Sequence, residues 1–149
     1  MREELYRAEL WLNRNFNDAK RLEADERMLE VLEGRLASCV AKYETDGTQS
    51  RDSDAARARH EDTLLDYSTQ KQKVETESKK LMAEITKTRA AIDELGDNDL
   101  IAVAVDRYIN RLRWKDISKV EHVSHATVYR LRLKMLEKMA EILHKKNLI

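Results

Sequence analysis

Residues 64–95 carry an apolar stripe whose positions alternate in steps of three and four. The stripe consists of Leu64, Tyr67, Lys71, Val74, Ser78, Leu81, Ile85, Thr88, Ile92 and Leu95. This spacing is typical of the heptad repeat by which one helix packs along another. Lys71, Ser78 and Thr88 interrupt the apolar character, and we expect these polar members to set register or orientation.

A second helical stripe precedes the first. Its apolar members are Leu5, Leu12, Ala19, Leu22, Leu29, Leu36, Val40 and Tyr43, and it is interrupted by Asn15, Glu26 and Glu33. Further apolar residues widen this stripe, which predicts more than one neighbour for the helix. These residues are Met28, Val31, Leu32 and Cys39.

The two stripes are separated by residues 45–54, TDGTQSRDSD, which are polar, contain a glycine and predict a loop. Helices of about equal length on both sides favour an antiparallel hairpin, a coiled-coil stalk over residues 1–96. The sequence leaves open whether the stalk pairs within one chain or between two chains. Gly96 follows the last stripe position, and Asp97 suits the start of a new helix, so a domain boundary is predicted near residue 96.

Residues 97–149 predict a small domain of three helices. The first is strongly apolar between residues 100 and 109. The apolar residues of the short second helix are Trp114, Ile117 and Val120. A turn around His122 leads to Ser124, whose hydroxyl suits the N-cap of the third helix. Two helices joined by so short a turn are typical of a helix-turn-helix, which places its second helix in the major groove of DNA.

The last helix has two contrasting faces. One arc holds Val128, Leu131, Met135, Met139 and Ile142. The opposite side begins with short residues and continues with cations, so it can approach base edges closely and bring Arg130 to a guanine or a phosphate. The candidate DNA contacts are His125, Ala126, Thr127, Arg130 and Lys134, with Arg111, Arg113 and Lys115 as candidate phosphate contacts. The alternative is an amphipathic helix whose charges are merely solvated.

A second apolar row on this helix requires a cover. The row consists of Leu133, Leu136, Ala140 and Leu143. Either the stalk or a second copy of the chain can cover it, and we expect a homodimer or higher oligomer through these residues. Arg132 points into the same arc and favours an interface with a polar spot. Trp114 is expected to fill the core of the domain rather than to stack on a base.

The run RYINRLRWKDISKVEHVSHATVYRLRLKMLEKM resembles the C-terminal part of small phage proteins with a sigma-70 region-4-like helix-turn-helix, the ArpU/RinA/Ltr-type late transcriptional regulators. The points of likeness are Arg107-Tyr108-Ile109, Trp114, Ile117, Ser124 and Val128-Tyr129-Arg130-Leu131. The chain departs from the family at Ser118, Glu121 and His122, where Ala, Leu and Gly are usual. The resemblance implies a regulator of phage late genes that binds double-stranded DNA in the cytoplasm of a bacterial host, with RNA polymerase as a further candidate partner.

The charge distribution agrees with a DNA-binding head. Residues 1–96 hold 17 basic and 21 acidic residues, a net charge of −4, whereas residues 97–149 hold 11 and 7, a net charge of +4. An excess of +4 gives a single head weak affinity for DNA, so tight binding is expected to need two heads on one duplex.

Other classes of function find little support in the sequence. The histidines His60, His122, His125 and His144 do not have the spacing of a metal site, and Cys39 is the only cysteine. We therefore expect no enzyme, metal or cofactor, and the absence of a long apolar run predicts no membrane contact. Two alternatives stay open, a small terminase-like DNA-packaging subunit and an interaction module that binds RNA polymerase or another regulator.

Overall fold

A computed structural model describes the backbone of residues 2–45 and 53–149 and the side chains of residues 2–39 and 54–149. Every regular element in these ranges is helical, which confirms the predicted all-α fold. The helices are α1 (Arg2–Thr45), α2 (Ser53–Asp93), α3 (Asn98–Ala104), α4 (Trp114–Val120) and α5 (His125–Lys145). A π-helical turn, Val105–Ile109, continues α3 directly. Most of the predicted loop, residues 46–52, lies outside the described residues, as do the side chains of Val40 and Tyr43.

The chain forms two compact units, and their limits differ from the predicted boundary at residue 96. Unit 1 comprises Met1–Asp18 and Leu81–Ile149, and unit 2 comprises Ala19–Lys80. The division differs because the end of α2 shares a hydrophobic core with the helices that follow it. Gly96 still separates α2 from α3, with a left-handed φ of 74° that favours glycine.

In unit 2, α1 and α2 pair in antiparallel directions within one chain. The Gln70 side chain donates to the backbone carbonyl of Asp25 at 2.9 Å, and the Tyr67 hydroxyl donates to the Glu33 carboxylate at 3.3 Å. Numbers rise along α1 as they fall along α2, as the predicted hairpin requires. Here the predicted seam needs a correction: Gln70 is buried and its neighbour Lys71 is exposed. Burial of an amide that has a hydrogen-bond partner costs less free energy than burial of an ammonium group that has none.

Unit 2 leaves several large apolar side chains in solvent. Met28 and Val31, which were expected to contact a further neighbour, are 52% and 54% exposed. On α2, Leu64 and Leu65 are exposed as well. The inward residues of this unit are few, with Leu22 and Leu32 buried on α1. Of the residues that widen the stripe of α1, Leu32 is therefore covered, whereas Met28 and Val31 have no cover from the described part of this unit.

Unit 1 is built around one large hydrophobic core. Its buried members are Ala8, Leu12, Ala91, Ile92, Leu95, Leu100, Ala104, Tyr108, Met135, Leu136, Met139, Ala140 and Leu143. The polar interruptions of the two stripes meet beside this core, where the Asn15 amide donates to the Thr88 hydroxyl at 3.2 Å. This buried bond favours one register of α1 against α2 within unit 1, because a shift of either helix would take the Asn15 amide away from its partner, whereas the Thr88 hydroxyl also donates to the Glu84 carbonyl at 3.0 Å.

The second apolar row of α5 is covered by residues of the same chain. Leu136, Ala140 and Leu143 are only 4%, 7% and 0% exposed, and they share their core with Ala8 and Leu12 of α1. The proposed dimer interface through these three residues is thereby corrected, since a second copy cannot reach them in the folded chain. Of the predicted set, Leu133 alone is exposed.

Candidate nucleic-acid interface

Helices α3, α4 and α5 enclose a small second core. Its buried members are Val103, Ile117 and Val128, one from each helix, with Leu112, Trp114, Val123 and Leu131 packed against them. Each of the three helices supplies one residue to the common centre, and burial of these side chains holds α4 against α5. The pair has the order of a helix-turn-helix, with residues 121–124 as the turn.

The turn after α4 is a Schellman motif. Val123 N–H donates to the Ser118 carbonyl at 3.0 Å, and His122 N–H donates to the Lys119 carbonyl at 3.4 Å. His122 has a left-handed φ of 54°, and the family that the sequence resembles usually has glycine at this position. A left-handed φ costs more free energy in a residue with a side chain than in glycine. The two backbone hydrogen bonds and the packing of Val123 against the second core stabilise this conformation.

Ser124 is the N-cap of α5, as the sequence predicts. Its hydroxyl accepts from the Thr127 N–H at 3.2 Å, and the hydroxyl oxygens of Ser124 and Thr127 are 2.9 Å apart. The cap satisfies an N–H group that the helix itself cannot pair. It also occupies the Thr127 side chain, which is half-buried and therefore a weaker candidate for DNA contact than its neighbours.

The predicted DNA face of α5 is exposed. Val128, Met135 and Met139 are buried on the inner side of the helix. The outer side presents His125, Ala126, Arg130 and Lys134, all of them exposed. Ala126, Arg130 and Lys134 follow one another at intervals of four residues, so the structure brings them to one strip of the helix surface.

The cations between α3 and α4 are exposed too. Arg113 caps the start of α4 through its backbone, and its guanidinium lies 3.0 Å from the Asp116 carboxylate. Arg111 adopts a left-handed φ of 61° where α3 and its π-helical turn end, and Lys115 lies in the first turn of α4. A phosphate contact by Arg113 has to compete with the ion pair between Arg113 and Asp116. An exposed ion pair of this kind contributes little to stability.

Trp114 lies in a layer of aromatic rings and guanidinium groups. Its ring meets the Tyr108 ring edge-on, with centroids 6.3 Å apart. The guanidinium carbons of Arg107 and Arg132 lie 5.6 and 4.8 Å from its centroid. Trp114 is partly buried and packs against both hydrophobic cores, which agrees with the expected core role.

Arg132 provides a connection that sequence reasoning missed. Its guanidinium donates to the Glu9 carboxylate at 2.7 Å and so ties α5 to α1 within unit 1. The helical wheel placed Arg132 correctly in the apolar arc, but the polar partner is a residue of the same chain. A separation of 123 positions gave no periodic signal that could have revealed the pair.

A pair of acidic side chains lies at the end of α4. The hydrogen bond to Asp106, burial, and the negative charges of Asp106 and Asp99 raise the pKa of Glu121. The carboxyl group of Glu121 therefore keeps its proton to a higher pH than an isolated glutamate does. The Asp106 Oδ2 atom is buried without a hydrogen-bond partner in the described structure. The pair stands where the resembling family has an apolar contact between its helices.

Comparison with models of known protein families, with curated proteins and with solved structures finds no match to this chain. Within the described ranges, no group of His, Cys, Asp and Glu side chains is arranged to hold a metal ion. Nor is any helix there both long enough and apolar enough to span a membrane.

Proposed function

We propose that the chain is a sequence-specific DNA-binding regulator of transcription whose recognition helix is α5. The observation that carries the proposal is the exposed strip of Ala126, Arg130 and Lys134 on a capped helix whose opposite face is fixed in two cores. A rigid inner face sets the direction of the strip, and the small Ala126 lets the first turns of α5 enter the major groove. With the family resemblance, the setting is late transcription of a phage in the bacterial cytoplasm.

Each cation has a distinct role in this proposal. Arg130 lies in the second turn of α5 and is long and forked enough to bind a guanine edge with two hydrogen bonds. Lys134, one turn further on, binds a phosphate, as do Lys115, Arg113 and Arg111 at the start of α4. His125 opens the helix and contacts the backbone or a base edge beside it. The phosphate contacts fix the register of α5, and Arg130 supplies the sequence preference.

The modest charge of the head favours a protein with two heads, and therefore a homodimer. Because α1 covers the inner side of α5, the contact between copies has to use another surface. The exposed apolar residues of unit 2 supply one, and Val31 there lines a groove with Arg35, Arg59 and Asp62. Charges of both signs around an apolar groove suit a two-fold interface, in which each copy offers its cations to the acid of the other. RNA polymerase is a further proposed partner of the bound dimer.

The first test is selection of bound duplexes from a random DNA library by the full chain. We expect an enriched motif. On that motif, Arg130→Ala should weaken binding by about 1–3 kcal/mol and relax the sequence preference, because the guanine contact is lost. Lys134→Ala should weaken the motif and random DNA alike and lower the salt dependence by about one counterion, as expected for a phosphate contact.

Lys87→Ala is the matched control, since it removes one exposed positive charge on α2, outside α4 and α5. It should leave both binding curves close to those of the native chain, measured by fluorescence anisotropy. The absence of an enriched motif, or equal effects of Arg130→Ala and Lys87→Ala, would contradict the proposed function.

The exposed apolar residues of unit 2 also favour the alternative of a small DNA-packaging subunit, which assembles into a ring. Sedimentation of the native protein separates the two candidates. A dimer supports the regulator, whereas a closed ring of many copies that binds DNA with little sequence preference supports packaging.

A further inference from the structure

Two large apolar side chains on the outer side of α5 lie in solvent. Tyr129 is 60% and Leu133 is 37% exposed, whereas Val128, Met135 and Met139 on the same helix are buried. Tyr129 and Leu133 are one turn apart, so they form a continuous apolar patch. Single apolar residues are ordinary on protein surfaces, but this patch lies on the helix that the proposed function assigns to the major groove.

The patch runs alongside the cationic strip. Arg130 directly follows Tyr129, and Lys134 directly follows Leu133, so each apolar residue has an exposed cation next to it. The exposed Ala126 lies one turn before Tyr129 and extends the apolar row towards the start of the helix. Cations beside an apolar row match a polyanion that also offers apolar groups. In the major groove, that group is the C5 methyl of thymine.

On the basis of the proposed function, we propose that Tyr129 and Leu133 bind thymine methyl groups next to the base that Arg130 contacts. The target then contains thymines within one turn of α5 from the guanine. Arg130 and Lys134 bring the helix to the duplex by charge, and contact with the methyl groups distinguishes thymine from cytosine at these positions. The Tyr129 ring contributes through its apolar surface, and its hydroxyl is not required.

Replacement of single thymines by deoxyuridine tests this inference, because deoxyuridine pairs like thymine and lacks only the methyl group. The full chain is titrated with its selected duplex and with duplexes that carry one replacement each. Loss of a contacted methyl should weaken binding by the native chain about fourfold. Tyr129→Ala and Leu133→Ala should each bring the affinity ratio at one thymine close to one, and Tyr129→Phe should keep the native ratio.

Tyr6→Ala is the matched control, because Tyr6 is 61% exposed and lies on α1. It should leave every thymine-to-deoxyuridine ratio unchanged. An enriched motif with no methyl-sensitive thymine overturns the inference while the proposed function stands, and so do native ratios in both alanine variants. A changed sedimentation mass with native ratios also overturns it, because the patch then faces another protein. Failure to enrich any motif removes the proposed function itself.

Discussion

At the scale of single residues, Glu121 and Asp106 place two carboxyl groups close together at the end of α4. The hydrogen bond that Asp106 offers to the protonated Glu121 is the main reason why the pKa of Glu121 is raised. Unit 2 has a related pair, in which the hydrogen bond between Glu77 and Asp25 raises the pKa of Glu77 and lowers that of Asp25. In each pair the bond requires one protonated partner, so its strength depends on pH.

The raised pKa of Glu121 predicts that unit 1 loses stability as the solution becomes less acidic. The folded pKa lies above the ordinary value of 4.5. The stabilising contribution is therefore complete below that value and is lost as pH rises through the folded pKa. Glu121→Gln supplies a permanent donor to Asp106 and should raise the Tm at pH 7 by roughly 2–5 °C, with a smaller gain in acid.

Circular dichroism melts at both pH values measure this effect. Glu141→Gln, an equal change of charge at an exposed position of α5, is the control and should show no such dependence on pH. A lower Tm of Glu121→Gln than of the native chain at pH 7 would contradict this prediction.

At the scale of the elements, the periodicity of the sequence predicted which side of a helix is buried, but not which residues of two helices contact each other. The step of three and four placed Thr88 and Ile92 on the buried side of α2, because that spacing follows directly from helix geometry. The same rule could not choose between Gln70 and Lys71, which are adjacent on the helix. Their choice depends on the Asp25 carbonyl of the opposite helix, and no pattern within α2 contains that information.

The last helix shows the same limit for the candidate site. The Ser124 cap and the exposure of Arg130 and Lys134 followed from local sequence, since caps and helix faces are local properties. The sequence also showed that the inner side of α5 needs a cover, but it could not say which chain provides it. The answer depends on contacts between α5 and α1, such as Arg132 with Glu9.

Burial of α5 against α1 predicts that Leu136→Ala destabilises unit 1 strongly. The side chain is 4% exposed in the main core, and its truncation should cost about 2–5 kcal/mol because a cavity is left. Leu133→Ala removes the same atoms from an exposed site and should cost less than about 1 kcal/mol. Urea unfolding of the two variants makes the comparison. Equal small losses would show that Leu136 faces solvent or a separable partner.

At the scale of the whole molecule, the excess of positive charge and one group of exposed apolar side chains lie in different parts of the sequence. The net charge of +4 belongs to residues 97–149, whereas Met28, Val31, Leu64 and Leu65 all belong to unit 2. Such a division suits a protein in which one part binds DNA and another joins two copies. Two weak heads on one duplex then add their binding energies, because the second contact forms at a high effective concentration.

The corresponding prediction is that the native chain is a dimer and that Val31→Glu together with Leu65→Glu converts it to a monomer. Both side chains are exposed in the single chain, so these changes should leave helicity and melting almost intact while like charges repel the second copy. The monomer should bind its selected duplex at least about tenfold more weakly than the dimer, since avidity commonly exceeds that factor.

Sedimentation and anisotropy on the same samples test both parts of this prediction. The control is Ser68→Glu with Glu30→Gln, which leaves the net charge unchanged at exposed polar positions of unit 2 and should leave a dimer. A native chain that sediments as a monomer and binds a single, non-palindromic site tightly would show that one head is sufficient, because half-sites of a two-fold dimer must repeat on the DNA. The phosphate contacts of Arg111, Arg113 and Lys115 would then have to supply the affinity that the second head was proposed to add.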